Sequence, residues 1–352
     1  MNQESVQVIN TALCSFGMSG MMFHAPFICA HPGFSLYAVW ERSAAVAANL
    51  YPGIQSYKNL EDMLADDNIH LVVVNTPNHT HADFTRKALL AGKHVLVEKS
   101  FTVTAAEARE LLDLSEHTGK QLAVYHNRRF DSDFKTVKKV AESGVLGELH
   151  SVDFNFCRFK PELSAKTHKE LPIPGAGLLH DLGPHLVDQA LHLFGMPEFV
   201  FGRLMVTRPL SVVNDHVDIA LFYNNLSVRL QLGLMVKEPL PAFVLHGKNG
   251  SFHKCRADVQ EDDLKKGQKP GQATWGVEPA SAKGLLHVEG KEKLLIESLP
   301  GNYLQFYEAL YQSLVHRAPL PVTGQDGLNV MRIIDAVLAS DQCGMKVKPV
   351  IS

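Results

Sequence analysis

The chain has 352 residues, which is too many for one ordinary hydrophobic core, so two domains of about 100–200 residues each are expected. The composition is 45% hydrophobic and 20% charged, and the formal net charge of -3 gives no reason to expect a nucleic-acid partner. Five scattered cysteines predict free thiols and argue against a zinc ribbon. No signal peptide and no apolar stretch of the roughly 18–20 residues needed for a membrane span are visible. We therefore expect a cytoplasmic protein with no membrane partner.

The first 126 residues alternate between strand and helix patterns. The strand candidates are short apolar runs, as expected of parallel strands that are buried on both faces: Val6–Cys14, Phe34–Trp40, Leu71–Asn75, His94–Val97 and Gln121–Tyr125. Between them, Asn78 is predicted to cap a helix that stops at Gly92, and Thr104 opens a helix through Leu112 with capping-box spacing. This α/β alternation predicts a doubly wound sheet in a Rossmann dinucleotide-binding domain over residues 1–126.

Residues 127–352 have a different, α+β texture and are predicted to form a domain for substrate binding and oligomerisation. Longer segments alternate in polarity, and Asn224-Asn225 marks a hairpin turn between the last two of them: Leu149–Phe159, Phe199–Val206, His216–Tyr223 and Leu226–Val236. They predict a largely antiparallel sheet with one open face, for which the simplest cover is the partner subunit of a homodimer or homotetramer. The polar stretch Ala257–Gly290 predicts a long loop, and Leu304–Val315 and Gly327–Ala339 predict two late helices.

A glycine-containing turn follows the first predicted strand. Residues 15–20, Ser-Phe-Gly-Met-Ser-Gly, match G-x-G-x-x-G except that Ser15 replaces the first glycine. Gly17 would let the backbone approach a pyrophosphate, and Gly20 would let the following helix pack close to the strand. The alternative is a flexible turn that binds nothing. The position in a βαβ unit favours a dinucleotide site formed by the turn residues Ser15, Phe16, Gly17, Ser19 and Gly20.

An acidic and a basic residue follow the second predicted strand and bear on which cofactor binds. Glu41 lies 21 positions after Gly20 and could accept hydrogen bonds from the ribose hydroxyls of NAD. Arg42 could instead pair with the 2′-phosphate of NADP. Both could also be solvated loop charges, so the sequence leaves NAD and NADP open.

A second polar turn, Thr76-Pro77-Asn78-His79-Thr80-His81, ends the third long strand. Pro77 stiffens the turn, and we predict that Thr76, Asn78 and His81 line the cofactor groove with it. A metal site at His79 and His81 is disfavoured because residues two apart on a helix face different directions.

The candidate catalytic residues are Lys99, Asp181 and His185. Glu98 and Lys99 follow a buried parallel strand, at the edge where open α/β sheets bind ligands. Asp181, His185 and Asp188 have the spacing of one helix stripe. A near-neutral histidine suits proton removal from an alcohol, a carboxylate four residues earlier can orient it or bind a hydroxyl, and a lysine can stabilise alkoxide charge. A metal bound by Asp181 and His185, with Asp188, is disfavoured because no third ligand of obvious spacing supports it.

These motifs, together with Phe23-His24-Ala25-Pro26, resemble the Gfo/Idh/MocA family of oxidoreductases. The last motif and Asn127-Arg128-Arg129-Phe130-Asp131-Ser132-Asp133 resemble the branch that contains NADP-dependent scyllo-inositol dehydrogenases. The resemblance implies that Lys99, Asp181 and His185 face the nicotinamide. Ser15 departs from the usual first glycine, Ser100 from the usual proline after the lysine, and Glu41 from the small residues of the NADP branch. Loss of that proline predicts a less constrained backbone beside Lys99.

The combined prediction is an NAD(P)-dependent oxidoreductase acting on a secondary alcohol of a polyol, inositol or sugar. Asn127 and Arg128, at the domain junction, are expected to contact nicotinamide or substrate. Specificity is expected from residues of the C-terminal sheet and from the 155–175 segment, with Phe159, Lys160 and His168 as candidates. Two alternatives stay open: a ligand sensor without catalysis, and an enzyme that uses bound NAD to cleave glycosides without net redox.

Overall fold

The computed structural model describes residues 7–41, 46–166, 169–238 and 240–350. Its first sheet has six parallel strands in the order β3-β2-β1-β4-β5-β6. Their bounds are β1 Ile9–Leu13, β2 Phe34–Trp40, β3 Gln55–Tyr57, β4 Leu71–Val74, β5 His94–Val97 and β6 Leu122–Val124. This is the strand order of a Rossmann fold, so the predicted doubly wound sheet is confirmed. The sequence missed β3 because this edge strand is polar and mostly exposed.

Helices connect these strands. They are α1 Ala25–Ala30, α2 Val46–Leu50, α3 Leu60–Leu64, α4 His81–Leu90 and α5 Ala105–Thr118. The capping box of Thr104 and Glu107 is present, although α5 runs two turns beyond its predicted end. Gly92 has a φ of +74° just after α4, as expected of a residue past a helix end. The predicted cap at Asn78 is wrong, because its amide donates to the Gly175 carbonyl at 3.3 Å and α4 begins three residues later.

The second sheet has eight strands, and six further helices lie in the same part of the described chain. The helices are α6 Ser132–Glu142, α7 Leu178–Asp181, α8 Gly183–Phe194, α9 Gln260–Lys265, α10 Leu304–His316 and α11 Gly324–Cys343. The strands are β7 Leu149–Cys157, β8 Phe199–Met205, β9 His216–Phe222, β10 Ser227–Gly233, β11 Phe243–Gly247, β12 Gly250–Lys254, β13 Gly284–Val288 and β14 Leu294–Ile296. The order is β14-β13-β12-β11-β7-β10-β9-β8, and every neighbouring pair is antiparallel except β7 with β10. The largely antiparallel sheet and its Asn224-Asn225 hairpin are therefore confirmed.

The two faces of this sheet differ. Strand β9 alternates strictly between buried and half-buried residues. On the buried side of the sheet, α11 packs against β8, and α8 packs against β10 and β7. On the other side of β8, Phe199 and Phe201 are exposed to 42% and 38%. No element of the described chain covers that side. Within the same residues, no helix is long and apolar enough to cross a membrane.

The predicted loop Ala257–Gly290 is wrong in part, because it contains α9 and β13. Polar composition hid a folded segment in which some polar side chains are buried and hydrogen-bonded. Gln260 is fully buried, and its Oε1 accepts hydrogen bonds from the Trp275 indole at 3.1 Å and from the Tyr303 amide at 2.7 Å. The segment therefore packs against the start of α10.

The end of the chain returns to the first sheet. The Val124 amide of β6 donates to the Val322 carbonyl at 3.3 Å, and the rings of Phe27 and Tyr307 stack at 5.9 Å. Through these contacts, residues near the end of the chain pack against β6 and α1 of the first domain. The division at residues 126 and 127 stays a prediction. All five cysteines are free thiols, as predicted.

Candidate active site

A cavity of about 470 Å³ lies at the carboxyl ends of β1, β4 and β5, the edge at which the sequence predicts a site. The first half of the chain lines it with the two predicted turns, Glu98 and Lys99. The chain after the first sheet contributes Asn127, Arg128, the 173–177 loop, Asp181 and His185. The cavity therefore brings together residues that are far apart in sequence but were predicted to act together.

The first turn leads from β1 into a helical segment that starts at Met18. The Ser15 hydroxyl accepts a hydrogen bond from the Gly17 amide at 3.2 Å, so the residue that replaces the usual glycine closes the turn with its side chain. A Cβ on Gly20 would lie 2.5 Å from the Ser15 carbonyl oxygen, which is too close for any other residue. A Cβ on Gly17 would meet only the Ser15 hydroxyl, at 3.5 Å. The backbone at Gly17 is thus open to the cavity, and the turn fits a dinucleotide pyrophosphate.

Two residues that were predicted to contact the cofactor have other partners in the structure. The Phe16 side chain is buried and packs edge-to-face on Tyr51, with the ring centroids 6.0 Å apart, so it does not line the cavity. The Glu41 carboxylate accepts hydrogen bonds from the Val46 amide at 3.0 Å and the Ala47 amide at 3.3 Å. Glu41 is therefore used to bind the first turn of α2 instead of standing free for a ribose. Arg42 lies outside the described residues.

The second turn lines the cavity with Thr76, Pro77, Asn78 and His79, and Asn75 lines it just before. The Asn75 amide donates to the Ser15 carbonyl at 2.8 Å, while its Oδ1 is buried without a partner. That orphaned acceptor suits a ligand donor.

The predicted groove contact at His81 is wrong. This ring is fully buried, with Nδ1 2.6 Å from the Ser100 carbonyl and Nε2 2.8 Å from the Thr76 carbonyl. His81 thus ties the second turn to the segment after Lys99, since both nitrogens contact backbone and neither is free for a cofactor.

Glu98 lies between the first turn and Lys99. Its Oε1 accepts a hydrogen bond from the Ser19 hydroxyl at 2.6 Å and lies 3.0 Å from His24 Nε2. Burial raises the pKa of Glu98, but the contacts with His24, Ser19 and Lys99 outweigh it and lower the value to about 2. This ionised carboxylate fixes the start of the helical segment against the end of β5.

Lys99 contacts Asp181 twice. Its Nζ donates to the Asp181 main-chain carbonyl at 2.6 Å and to Asp181 Oδ1 at 3.3 Å. Lys169, which the sequence did not single out, donates to the same Oδ1 at 2.7 Å. Burial raises the pKa of Asp181, but the two ammonium groups together hold it well below its usual range. Two cations thus surround one carboxylate at the cavity wall.

The prediction that Asp181 and His185 share one helix is wrong, because the helix breaks at Leu182 between α7 and α8. Pro184, near the start of α8, has no N–H to continue the α7 hydrogen bonds. The freed carbonyl of His180 accepts from the Ser100 hydroxyl at 3.1 Å, and that of Asp181 accepts from Lys99. Ser100 is therefore held by hydrogen bonds on both its hydroxyl and its carbonyl, in contrast to the looser backbone expected there.

His185 lines the cavity with little exposure to solvent. Its Nδ1 is buried without a hydrogen-bond partner, and neither ring nitrogen is bonded to any described residue. Burial, followed by the charges of Lys99 and Arg128, lowers the pKa of His185 well below its ordinary value. The ring is therefore neutral near pH 7.

Asp188 points to a different partner. Arg129 donates to its carboxylate twice, from Nε to Oδ2 at 2.9 Å and from Nη2 to Oδ1 at 2.6 Å. Asp188 is thus part of a buried ion pair and does not join Asp181 and His185. Within the described residues no group of three or more His, Cys, Asp or Glu side chains is placed to hold a metal ion.

The junction residues Asn127 and Arg128 both line the cavity. The Asn127 side chain has no hydrogen-bond partner in the part of the chain that is described, which leaves its amide for a ligand. Arg128 is held between Asp131 at 3.0 Å and Glu261 at 2.7 Å. Glu261 belongs to α9, in the segment predicted as a loop, so no sequence signal connected it with this site.

The 155–175 segment contributes more residues than predicted. Arg158, Lys166 and Lys169 line the cavity, and Lys160 lines a smaller cavity beside it. Phe159 is exposed and lines neither, and His168 lies outside the described residues. The repeated basic residues of this segment were the signal that the sequence offered for Lys169.

Comparison with known proteins agrees with this architecture. Residues 9–126 match the family model described as "Oxidoreductase family, NAD-binding Rossmann fold", and residues 138–348 match "Oxidoreductase family, C-terminal alpha/beta domain". The chain is 35% identical to scyllo-inositol 2-dehydrogenase (NADP(+)) IolW of Bacillus subtilis over 97% of this chain and 96% of that protein.

Two further similarities cover different shares of the chain. The D-glucoside 3-dehydrogenase of Escherichia coli is 31% identical over 54% of this chain and 55% of that protein. The solved structure of the Bacillus subtilis oxidoreductase yvaA matches with a TM-score of 0.94 and 34% identity over 98% of this chain and 99% of that one. The two family models together span most of the sequence. The chain therefore belongs to the Gfo/Idh/MocA family of oxidoreductases and has its NAD-binding Rossmann domain.

Proposed function

We propose that this protein is an NAD(P)-dependent dehydrogenase of a secondary alcohol in a polyol, inositol or sugar. The observation that carries the proposal is that Lys99, Asp181 and His185 line one cavity with the nucleotide-type turn. The named activities of the inositol and glucoside dehydrogenase relatives support this substrate class. The turn residues Ser15, Gly17 and Ser19, with Thr76, Pro77 and Asn78, would hold the dinucleotide, and Asn127 would meet its nicotinamide end.

When bound, the nicotinamide supplies the acceptor for the hydride that leaves the carbinol carbon. The protein must remove the hydroxyl proton in the same reaction. His185 is the proposed proton acceptor, because its ring lines the cavity and carries no hydrogen bond from the described residues. The proton moves from the substrate hydroxyl to a ring nitrogen of His185, leaving a carbonyl group on the substrate.

Lys99 stabilises the negative charge that develops on the substrate oxygen. Two of its three ammonium hydrogens are directed to Asp181, so one remains for the substrate. Asp181 in this account orients Lys99 and Lys169 instead of the imidazole. Such a fixed donor is worth about 10²–10³ in turnover at comparable sites.

The test is reduction of NAD⁺ and NADP⁺ by the purified protein with a panel of inositols, sugars and sugar acids. Net formation of reduced nicotinamide, followed by its absorbance, is expected with at least one compound. Substrate-independent binding of cofactor without reduction would favour a ligand sensor. Glycoside cleavage without accumulation of reduced cofactor would favour the non-redox alternative.

The open face of the second sheet supports a homo-oligomer. The exposed Phe199 and Phe201 lie there beside polar residues, and apolar residues on an uncovered sheet face are typical of a subunit interface. Sedimentation analysis of the purified protein tests this, with a dimer or tetramer expected.

A further inference from the structure

We propose that the substrate carries an anionic group, a carboxylate or a phosphate, and that Arg158, Lys160 and Lys166 bind it. These three residues are called the basic cluster below. The inference rests on the proposed function, because it places the anionic group of the alcohol substrate in the same cavity. It adds a substrate class that the uncharged inositols do not represent.

The basic cluster is built on the continuation of β7. The Arg158 amide donates to the Gly233 carbonyl at 2.9 Å, and the Lys160 amide donates to the Leu234 carbonyl at 2.7 Å. These bonds hold the backbone that follows Cys157 against the end of β10. Arg158 and Lys160 both line the same side cavity.

A side cavity of about 80 Å³ lies where these side chains project. It shares Arg158, Lys169, Gly177 and Asp181 with the main cavity, and Lys160 and the buried Arg208 line it as well. The volume suits one small polar group. It adjoins Asp181, and so the place at which Lys99 is proposed to meet the reacting oxygen.

The acids around the two cavities already have partners. Asp181 is bound by Lys99 and Lys169, and Glu261 by Arg128. Glu98 is bound by His24 and Ser19. In the side cavity, Glu170 is bound by Arg208 at 2.9 Å.

The basic cluster has no such partner. Over residues 7–41, 46–166, 169–238 and 240–350, none of its three side chains forms an ion pair with an acid. Burial and the charge of Lys169 also lower the pKa of Lys166, an effect that an anion between these groups would relieve. Three cations without an acidic partner, placed along two adjoining cavities, form a site for a negative charge.

The cofactor's own phosphates do not account for this charge. The turn that fits a pyrophosphate lies at the end of β1, and every residue lining the side cavity falls between positions 158 and 234. The side cavity is thus built entirely from residues that follow the first sheet. The anion it fits belongs to the substrate.

The experiment is titration calorimetry on protein saturated with NAD⁺ or NADP⁺, with D-glucose, D-gluconate and D-glucose 6-phosphate as probes, and with inositol beside inositol 1-phosphate. At least one anionic compound is expected to bind about 10-fold or more tightly than its neutral counterpart, and less so in high salt. Gluconate and the phosphates distinguish carboxylate from phosphate recognition. The double variant Arg158→Gln/Lys160→Gln is expected to lose the preference while its cofactor affinity stays unchanged.

Lys120→Gln is the matched control, because it removes one positive charge just before β6. That position is at the amino ends of the parallel strands, whereas the main cavity is at their carboxyl ends. It is expected to keep the preference. Equal or weaker binding of every anionic probe, or a preference that survives in the double variant, overturns the basic cluster as an anion site. The proposed function is judged separately: Lys99-dependent reduction of cofactor by a neutral polyol would uphold it even then, whereas anion binding without turnover would uphold the cluster alone.

Discussion

The ammonium of Lys99 donates at 2.6 Å to the main-chain carbonyl of Asp181, a carbonyl that a continuous helix would have used for itself. The break at Leu182, reinforced by Pro184, makes that acceptor available. One local interruption of a helix therefore fixes the position of a lysine that is 82 residues away in the sequence.

Lys99→Met is expected to lower turnover by about 100-fold or more, because the substrate oxygen loses its charged donor. Cofactor affinity is expected to change little, since the turn that fits the pyrophosphate is untouched. Steady-state kinetics and titration of cofactor fluorescence measure the two effects. Turnover within a few-fold of the unmodified protein would remove Lys99 from the mechanism.

Gly20→Ala and Gly17→Ala are expected to separate folding from cofactor binding. A Cβ at position 20 would lie 2.5 Å from the Ser15 carbonyl oxygen, so this variant is expected to lose about 1–3 kcal/mol of unfolding free energy as well as cofactor affinity. A Cβ at position 17 meets only a hydroxyl at 3.5 Å. That variant is expected to keep its stability and to lose affinity alone, as measured by denaturant unfolding and cofactor titration.

Loss of stability in Gly17→Ala together with unchanged cofactor affinity would contradict the placement of the pyrophosphate at this turn.

Glu41→Ala is expected to lower the unfolding free energy by about 0.5–2 kcal/mol, because the Val46 and Ala47 amides lose their acceptor. Glu41→Gln keeps an oxygen at the same position and is expected to lose less. NAD⁺ affinity is expected to be the same in both variants. A drop in NAD⁺ affinity at constant stability would instead restore the ribose contact predicted from the sequence.

The pH dependence of stability is expected to report the buried neutral state of His185. Its pKa in the folded protein lies well below 6.5, whereas the unfolded chain protonates near 6.5. The unfolded state therefore binds more protons as the pH falls below 6.5, and the unfolding free energy decreases toward acid. The stabilisation is fully present above pH 6.5.

Between pH 7.5 and pH 5.5, the unfolding free energy of His185→Gln is expected to fall by about 1 kcal/mol less than that of the unmodified protein. Denaturant unfolding at both pH values measures the difference. Identical losses in the two proteins would mean that the ring has the same pKa in the folded protein as in the unfolded chain.

The first sheet was predictable because its strands are short apolar runs, and the position of Lys99 followed from the rule that ligands bind at the carboxyl edge. The partners of Glu41 and His81 were not predictable, because both side chains bind backbone groups that the fold alone brings near. The break at Leu182 had a signal in Pro184, which the regular spacing of Asp181 and His185 concealed.

Lys169 and Glu261 were missed for a related reason. Each lies in a polar segment without a periodic pattern, and each acquires its role only by pairing across the cavity with Asp181 or Arg128. Polar composition predicts exposure, but ion pairs formed in the tertiary structure can hold such segments in place.

The most direct test of the central claim is transfer of deuterium from a carbinol carbon to the cofactor. The protein is incubated with NAD⁺ or NADP⁺ and with carbon-deuterated forms of the compounds that it oxidises, and the reduced cofactor is analysed by mass spectrometry. The account predicts one deuterium per reduced nicotinamide in the unmodified protein, and a rate of transfer about 100-fold or more lower in Lys99→Met. Reduced cofactor without deuterium, or equal transfer in Lys99→Met, would contradict it.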